Sequence, residues 1–148
     1  MIATQMDATT APSLEAEPHS KLVLVVDDDP DARLCLEMMV RRHGFSVETA
    51  SNGREALSRV HAEPPDMIIM DLMMPELGGY EATLALPSIV EKRIPVVLHT
   101  VRHIDASTLE QMRTEAYVVG MVRKPANFQL LIDLLHTTLR TRRLIPAL

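Results

Sequence analysis

The chain is poor in several things, and each lack removes a class of function. It has one cysteine, Cys35, in 148 residues, so neither an intramolecular disulfide nor a multi-cysteine metal centre can form. A reducing, cytoplasmic compartment is compatible with that usage. It has no tryptophan and only 3% aromatic residues, too few for a platform on which nucleic-acid bases stack. Basic residues are outnumbered, 15 to 20, for a formal net charge of −5. A net negative chain is poorly suited to a phosphate backbone, so no nucleic-acid partner is expected. No apolar run approaches the ~20 residues of a membrane span. The N-terminus also lacks the basic and apolar segments of a secretory signal, so no membrane association is expected.

What remains is material for one folded unit. The hydrophobic fraction is 47% and the charged fraction 24%, which are globular values. A length of 148 residues fits one domain with tails. Residues 1–20 are rich in Ala, Thr, Ser, Pro and Glu without any sustained period and read as a disordered leader. Residues 21–140 read as the domain, and 141–148 as a short C-terminal tail.

Three short apolar runs punctuate the domain: Leu22 to Val26, Met67 to Met70, and Pro95 to Leu98. Each is continuous rather than alternating, as in a parallel sheet covered on both faces. Ser46 to Ala50 and Gly120 to Arg123 are weaker strand candidates. Between them, Ala32, Cys35, Leu36, Met39 and Val40 fall on one helical face. Further helices are predicted over Arg54 to Glu63, Tyr80 to Val90, Asp105 or Ser107 to Glu115, and from Asn127 onward. Pro87 should kink or shorten the third of these five helices. The last carries Phe128, Leu131, Ile132, Leu135 and Leu139 on one face. Leu130 and Leu134, four apart, form a separate stripe that reads as an exposed apolar strip. Five strand–helix repeats specify an α/β, five-stranded doubly wound parallel sheet, most simply in order 2-1-3-4-5.

In such a sheet, ligands gather beyond the carboxyl ends of the strands. Strand 1 ends in Asp27, Asp28 and Asp29. Strand 3 ends in Asp71, strand 4 in Thr100, and strand 5 in Lys124. With strands 1 and 3 adjacent, Asp27, Asp28 and Asp71 converge. Three carboxylates that close call for a cation, and hard oxygen ligands suit Mg²⁺. A lysine and a hydroxyl nearby can hold a phosphoryl group. Acid, metal and lysine together describe phosphoryl transfer to a carboxylate. Asp29 reads as the cap of helix 1, His99 as a structural strand residue, and Arg140, Arg142 and Arg143 as a solvated helix end.

These residues stand in motifs that resemble the response-regulator receiver domain of two-component signalling. The matching stretches are Val25-Val26-Asp27-Asp28-Asp29-Pro30, Asp71-Leu72-Met73-Met74-Pro75, Gly79, Thr100 and Lys124-Pro125. The resemblance covers about Lys21 to Arg140. It implies a flavodoxin-like receiver fold and a phosphorelay function without conventional enzyme activity. Asp71 would be the phosphoacceptor, Asp28 the direct Mg²⁺ ligand, and Asp27 the residue that orients metal-bound water. The Met73 backbone carbonyl would complete the metal site. Thr100 would hydrogen-bond the phosphoryl group and Lys124 would pair with it. The implied donor is a sensor histidine kinase or histidine phosphotransfer protein. Output would pass through the helix 4–strand 5–helix 5 surface to an unknown output protein or by self-association. With few residues after Arg140, a stand-alone receiver is expected.

The chain departs from the family pattern at three places. Val101 stands where a small residue is usual, Met121 where a switching aromatic is frequent, and Arg123 where an apolar residue is common. Three other readings compete, of which a degenerate receiver used only as a scaffold is opposed by the intact acid, threonine and lysine set. Asp27-Asp28-Asp29 offers the Asp-x-Asp of a haloacid-dehalogenase-type phosphatase, in which Asp27 would be phosphorylated, but Pro30-Asp31 is the wrong continuation. A flavodoxin-like FMN carrier is opposed by acids placed where the FMN phosphate would sit.

Overall fold

The computed structural model describes residues 14–145 except Pro75 and Ala126. Five strands, β1 (Leu22–Val26), β2 (Ser46–Ala50), β3 (Met67–Met70), β4 (Val96–Thr100) and β5 (Val118–Arg123), alternate with five helices. These are α1 (Pro30–Arg42), α2 (Gly53–Ala62), α3 (Gly79–Ile89), α4 (Ala106–Ala116) and α5 (Phe128–Leu139). The sheet is parallel throughout, in the order β2-β1-β3-β4-β5. This is the predicted doubly wound α/β architecture.

The continuous apolar runs are explained by burial on both faces. Every residue of β3 and β4 is buried. Alternate strand residues point to opposite faces, and two cores result. Leu24, Val26, Ile68, Met70, Val96 and Leu98 meet α2, α3 and α4 through Ala56, Val60, Ala82, Leu86 and Met112. Val23, Val25, Ile69 and Val97 meet α1 and α5 through Leu36, Val40, Leu131, Ile132 and Leu135. The edge strand β2 alternates more openly, with Glu48 exposed.

Local signals set the helix ends. The Asp29 carboxylate accepts the Asp31 backbone N–H and caps α1, whose first residue is Pro30, as predicted. Gly44 follows that helix at φ +98°, a left-handed conformation that glycine adopts without a Cβ penalty. Asn52, Asp105 and Asn127 cap α2, α4 and α5 through side-chain oxygens.

Several expectations need correction. Pro87 does not end α3, which continues to Ile89. It sits in the last turn, where its missing N–H removes one helical bond and little helix remains to disrupt. Strand β5 begins at Val118, two residues before the predicted start. Its register against β4 shifts between Val96 and Val97, and such a bulge leaves no periodic signature. Cys35 is exposed rather than on the core face, because the buried stripe of α1 centres on Leu36 and Val40.

The ends of the domain also differ from the reading of a free leader and tail. Residues 1–13 and 146–148 lie outside the described residues. Residues 14–20 are not free of structure: Pro18–Ser20 form a 3₁₀ turn, and Ala16 bridges to Thr141 in parallel. The Ala16 N–H donates to the Arg140 carbonyl, and the Arg142 N–H to the Ala16 carbonyl, both at 2.9 Å. Arg142 donates twice to the Glu17 carboxylate at 3.0 Å, and Arg143 pairs with Asp133 at 2.7 Å. Arg140 and Arg142 are exposed, as expected, and Arg143 pairs with α5, but Arg142 pairs across to Glu17 and forms the outer half of a clasp. Beneath it the buried Thr141 hydroxyl lies 2.7 Å from His136 Nδ1. Composition misses this pairing because each half is stabilised only by the other.

Candidate functional site

The carboxyl ends of β1, β3 and β5 bring the predicted chemistry together. Asp71 continues the ladder from β3, its N–H donating to the Val26 carbonyl at 3.0 Å. Oxygen atoms of Asp27, Asp28 and Asp71 all lie within 4.8 Å of one another. Asp27 and Asp71 are buried and Asp28 is exposed. Lys124 enters from the end of β5, on a cis Lys124–Pro125 peptide. Its Nζ donates to Asp27 Oδ2 at 2.7 Å and to Asp71 Oδ2 at 3.3 Å.

The remaining contacts hold these groups in place. Asp27 Oδ1 accepts the Asp29 N–H, and Asp71 Oδ1 accepts the Met73 N–H at 3.2 Å. The Arg33 guanidinium donates to the Asp27 carbonyl. Thr100 is fully buried, and its Oγ1 accepts the Arg102 N–H at 3.1 Å, which leaves the hydroxyl hydrogen able to donate elsewhere. Gly79 opens α3 against the loop that follows β3; a Cβ there would collide with the Asp71 carbonyl. Of the motif after Asp71, Pro75 lies outside the described residues.

Burial shapes the electrostatics. The Asp71 carboxyl is raised above its ordinary range, chiefly by desolvation and further by the Asp27 charge. The Met73 N–H and Lys124 oppose that rise without cancelling it. Burial also pulls the Lys124 ammonium downward, but the Asp27 hydrogen bond and the charges of Asp27 and Asp71 outweigh it, so Lys124 is raised. Both members of the ion pair move upward because Lys124 leans on Asp27 and only weakly offsets the cost of burying Asp71.

The departures from pattern lie around this centre. Val101 stands 60% exposed. Met121 pairs with Leu98 and packs into the core shared by α2, α3 and α4. Arg123 reaches the Val101 carbonyl. The predicted Leu130–Leu134 strip is only half exposed. Leu130 is exposed, whereas Leu134 lies over Gly120, whose missing Cβ makes room for it.

His99, read from the sequence as a structural strand residue, lies at the site itself. The register pairs Met70 with Leu98 and His99 with Val122. One step beyond β3, this sets His99 abreast of Asp71, on the sheet face that also carries Asp27 and Lys124 by alternation. His99 is 4% exposed, and neither ring nitrogen has a hydrogen-bond partner among the described residues. Burial, and then the Lys124 charge, push it down to about 4. The available signal was parity: His99 lies two residues after the core residue Val97.

Comparison with known proteins agrees with this geometry. The family model "Response regulator receiver domain" matches residues 23–136. Protein PilH of Pseudomonas aeruginosa is 30% identical over 118 residues, covering 79% of this chain and 96% of PilH. A probable transcriptional regulator, ycf27 of Guillardia theta, is 40% identical over 78 residues. That match spans 53% of this chain but only 30% of the regulator. Among solved structures, the Vibrio cholerae chemotaxis protein CheY4 superposes with a TM-score of 0.69 at 29% identity, covering 80% of this chain and 98% of that one.

The chain belongs to the response-regulator receiver domain family. It is a signalling domain of the two-component type rather than a conventional enzyme. Its acid cluster is compatible with Mg²⁺: three hard oxygen donors converge, and one of them is exposed. Among the described residues, no helix is long and apolar enough to cross a membrane.

Proposed function

We propose that Asp71 accepts a phosphoryl group from a sensor histidine kinase or a histidine phosphotransfer protein. The reading rests on one observation above the rest. A single lysine bridges Asp27 and Asp71 inside a three-carboxylate cluster. Asp71 is the nucleophile. Its burial-raised basicity suits an oxygen that must attack phosphorus. As the Asp71 O–P bond forms, the P–N bond to the donor imidazole breaks. The leaving nitrogen regains its electron pair, and solvent supplies any proton it takes up. Asp27, Asp28, Asp71 and the Met73 carbonyl are the groups that would hold Mg²⁺. When bound, the ion would neutralise charge on the phosphoryl oxygens. Thr100 donates its hydroxyl hydrogen to a phosphoryl oxygen. Lys124 turns from Asp27 toward another, which stabilises charge where it gathers.

Output through α4, β5 and α5 belongs to the same proposal. Thr100 and Met121 lie on one sheet face, two residues apart in register. Recruitment of the Thr100 hydroxyl can therefore repack Met121 and alter the surface that includes exposed Leu130. The recipient is an output protein or a second copy of this chain, in the cytoplasm.

The test is labelling with acetyl phosphate or a phosphohistidine donor, with and without Mg²⁺. Label should require Mg²⁺ and be lost in Asp71→Asn. Label retained by Asp71→Asn and lost in Asp27→Asn would instead establish the phosphatase-like alternative.

A further inference from the structure

His99 is the one group in the row of site residues to which the proposed chemistry gives no task. Its imidazole is neutral, so it carries one N–H donor and one lone-pair acceptor. Both nitrogens are buried and unpartnered among the described residues. A core position between Val97 and Val122 would be served as well by Leu or Val, without the cost of burying a polar ring. By register and alternation the ring shares a face with Asp71 and Lys124. Lys124 has three N–H donors, and in this state two are used, on Asp27 and Asp71. When the ammonium turns toward a phosphoryl group it gives up its 2.7 Å contact with Asp27. Another acceptor on the same face lowers the cost of that move.

We propose that His99 is a positioning residue of the phosphoacceptor site, its ring lone pair accepting an N–H of Lys124 when the ammonium leaves Asp27 for a phosphoryl group on Asp71. This rests on the reading of Asp71 as acceptor. It gives the buried ring a partner in the phosphorylated arrangement that it lacks in the unphosphorylated one. His99 touches neither donor nor phosphoryl group and acts only through Lys124.

The experiment uses the full chain with Mg²⁺ and beryllofluoride, which stands in for the phosphoryl group on Asp71. Two quantities are read: beryllofluoride affinity by calorimetry, and the His99 ring ¹⁵N shifts by NMR. Binding should move one ring nitrogen of wild-type His99 from a free to a hydrogen-bonded shift. His99→Leu should weaken beryllofluoride binding about tenfold, the order expected for one hydrogen bond to a charged group, while Mg²⁺ affinity alone stays unchanged. His99→Gln, which keeps an acceptor, should recover most of the loss. Ring shifts that do not move when the site is saturated would overturn the proposal, even if every variant misfolds. So would His99→Leu binding as tightly as wild type. Wild-type protein that binds no beryllofluoride would overturn the reading of Asp71 as well.

Discussion

Lys124 Nζ is 2.7 Å from Asp27 Oδ2 and 3.3 Å from Asp71 Oδ2. The lysine therefore belongs to Asp27 more than to Asp71. That preference leaves Asp71 buried with only partial compensation, and so more basic than an ordinary aspartate. Under the proposed function, a phosphoryl group on Asp71 would draw the lysine away from this short, charge-assisted contact.

Asp27→Asn should shift that balance. With the Asp27 charge gone, Lys124 is free to close on Asp71, and the Asp71 carboxyl should fall from its raised position toward the ordinary range. Carboxyl ¹³C titration by NMR reads this directly. Mg²⁺ affinity should drop roughly 10–100-fold, the range seen when a supporting group of a metal site is lost. An unchanged Asp71 titration would show that Lys124 does not mediate between the two acids.

Mg²⁺ should stabilise the fold. A cation held only by the native acid cluster contributes about 2.7 kcal/mol at a hundredfold excess over its Kd. The melting temperature should rise by several degrees with added Mg²⁺. Asp28→Ala should abolish most of the gain, because Asp28 is the exposed member that can reach the ion without disturbing Lys124. Equal gains in both proteins would place the stabilising ion elsewhere.

Stability should also depend on pH through His99. Its folded pKa, about 4, lies below the unfolded value of 6.5. The unfolded chain then binds more protons between those values, so stability is full above pH 6.5 and falls as pH drops toward 4. Burial also lowers His136 and His43, which adds to the same trend, whereas the raised Asp71 opposes it. The wild-type minus His99→Leu difference isolates the first contribution, up to about 3 kcal/mol at ~1.4 kcal/mol per pKa unit. Denaturant melts across this window check it; a difference that does not vary with pH contradicts the burial assigned to His99.

The clasp between the two ends should matter to stability despite its exposed ion pairs. Thr141→Val keeps shape but leaves His136 Nδ1 buried without its 2.7 Å partner. A loss of about 1–3 kcal/mol is expected, the cost of a stranded buried polar atom. Equilibrium unfolding measures it, and amide exchange at Ala16 and Arg142 should quicken in parallel. Wild-type stability would mean that the hydrogen bond is replaced by water.

Much of the fold was legible in the sequence because its signals are local. Continuous apolar strands, side-chain caps at Asp29 and Asn127, and acids at strand ends each lie within a few residues, and the simplest sheet order for five strand–helix repeats is the one observed. Asp27, Asp28, Asp71, Thr100 and Lys124 were singled out by position at strand ends, with their roles taken from the family resemblance; the tertiary structure gathers the three acids and sets Lys124 against Asp27 and Asp71. What only the tertiary structure decided depends on residues far apart in the chain. Whether Lys124 leans on Asp27 or Asp71 is set by distances across three strands. The β3–β4 register sets His99 beside Asp71, and the β4–β5 register, shifted between Val96 and Val97, sets it against Val122. The joining of Glu17 to Arg142 and the seating of Leu134 over Gly120 require partners that no local period announces. Period and capping are properties of neighbours in sequence, whereas register, ion-pair choice and the burial of a polar ring are properties of neighbours in space.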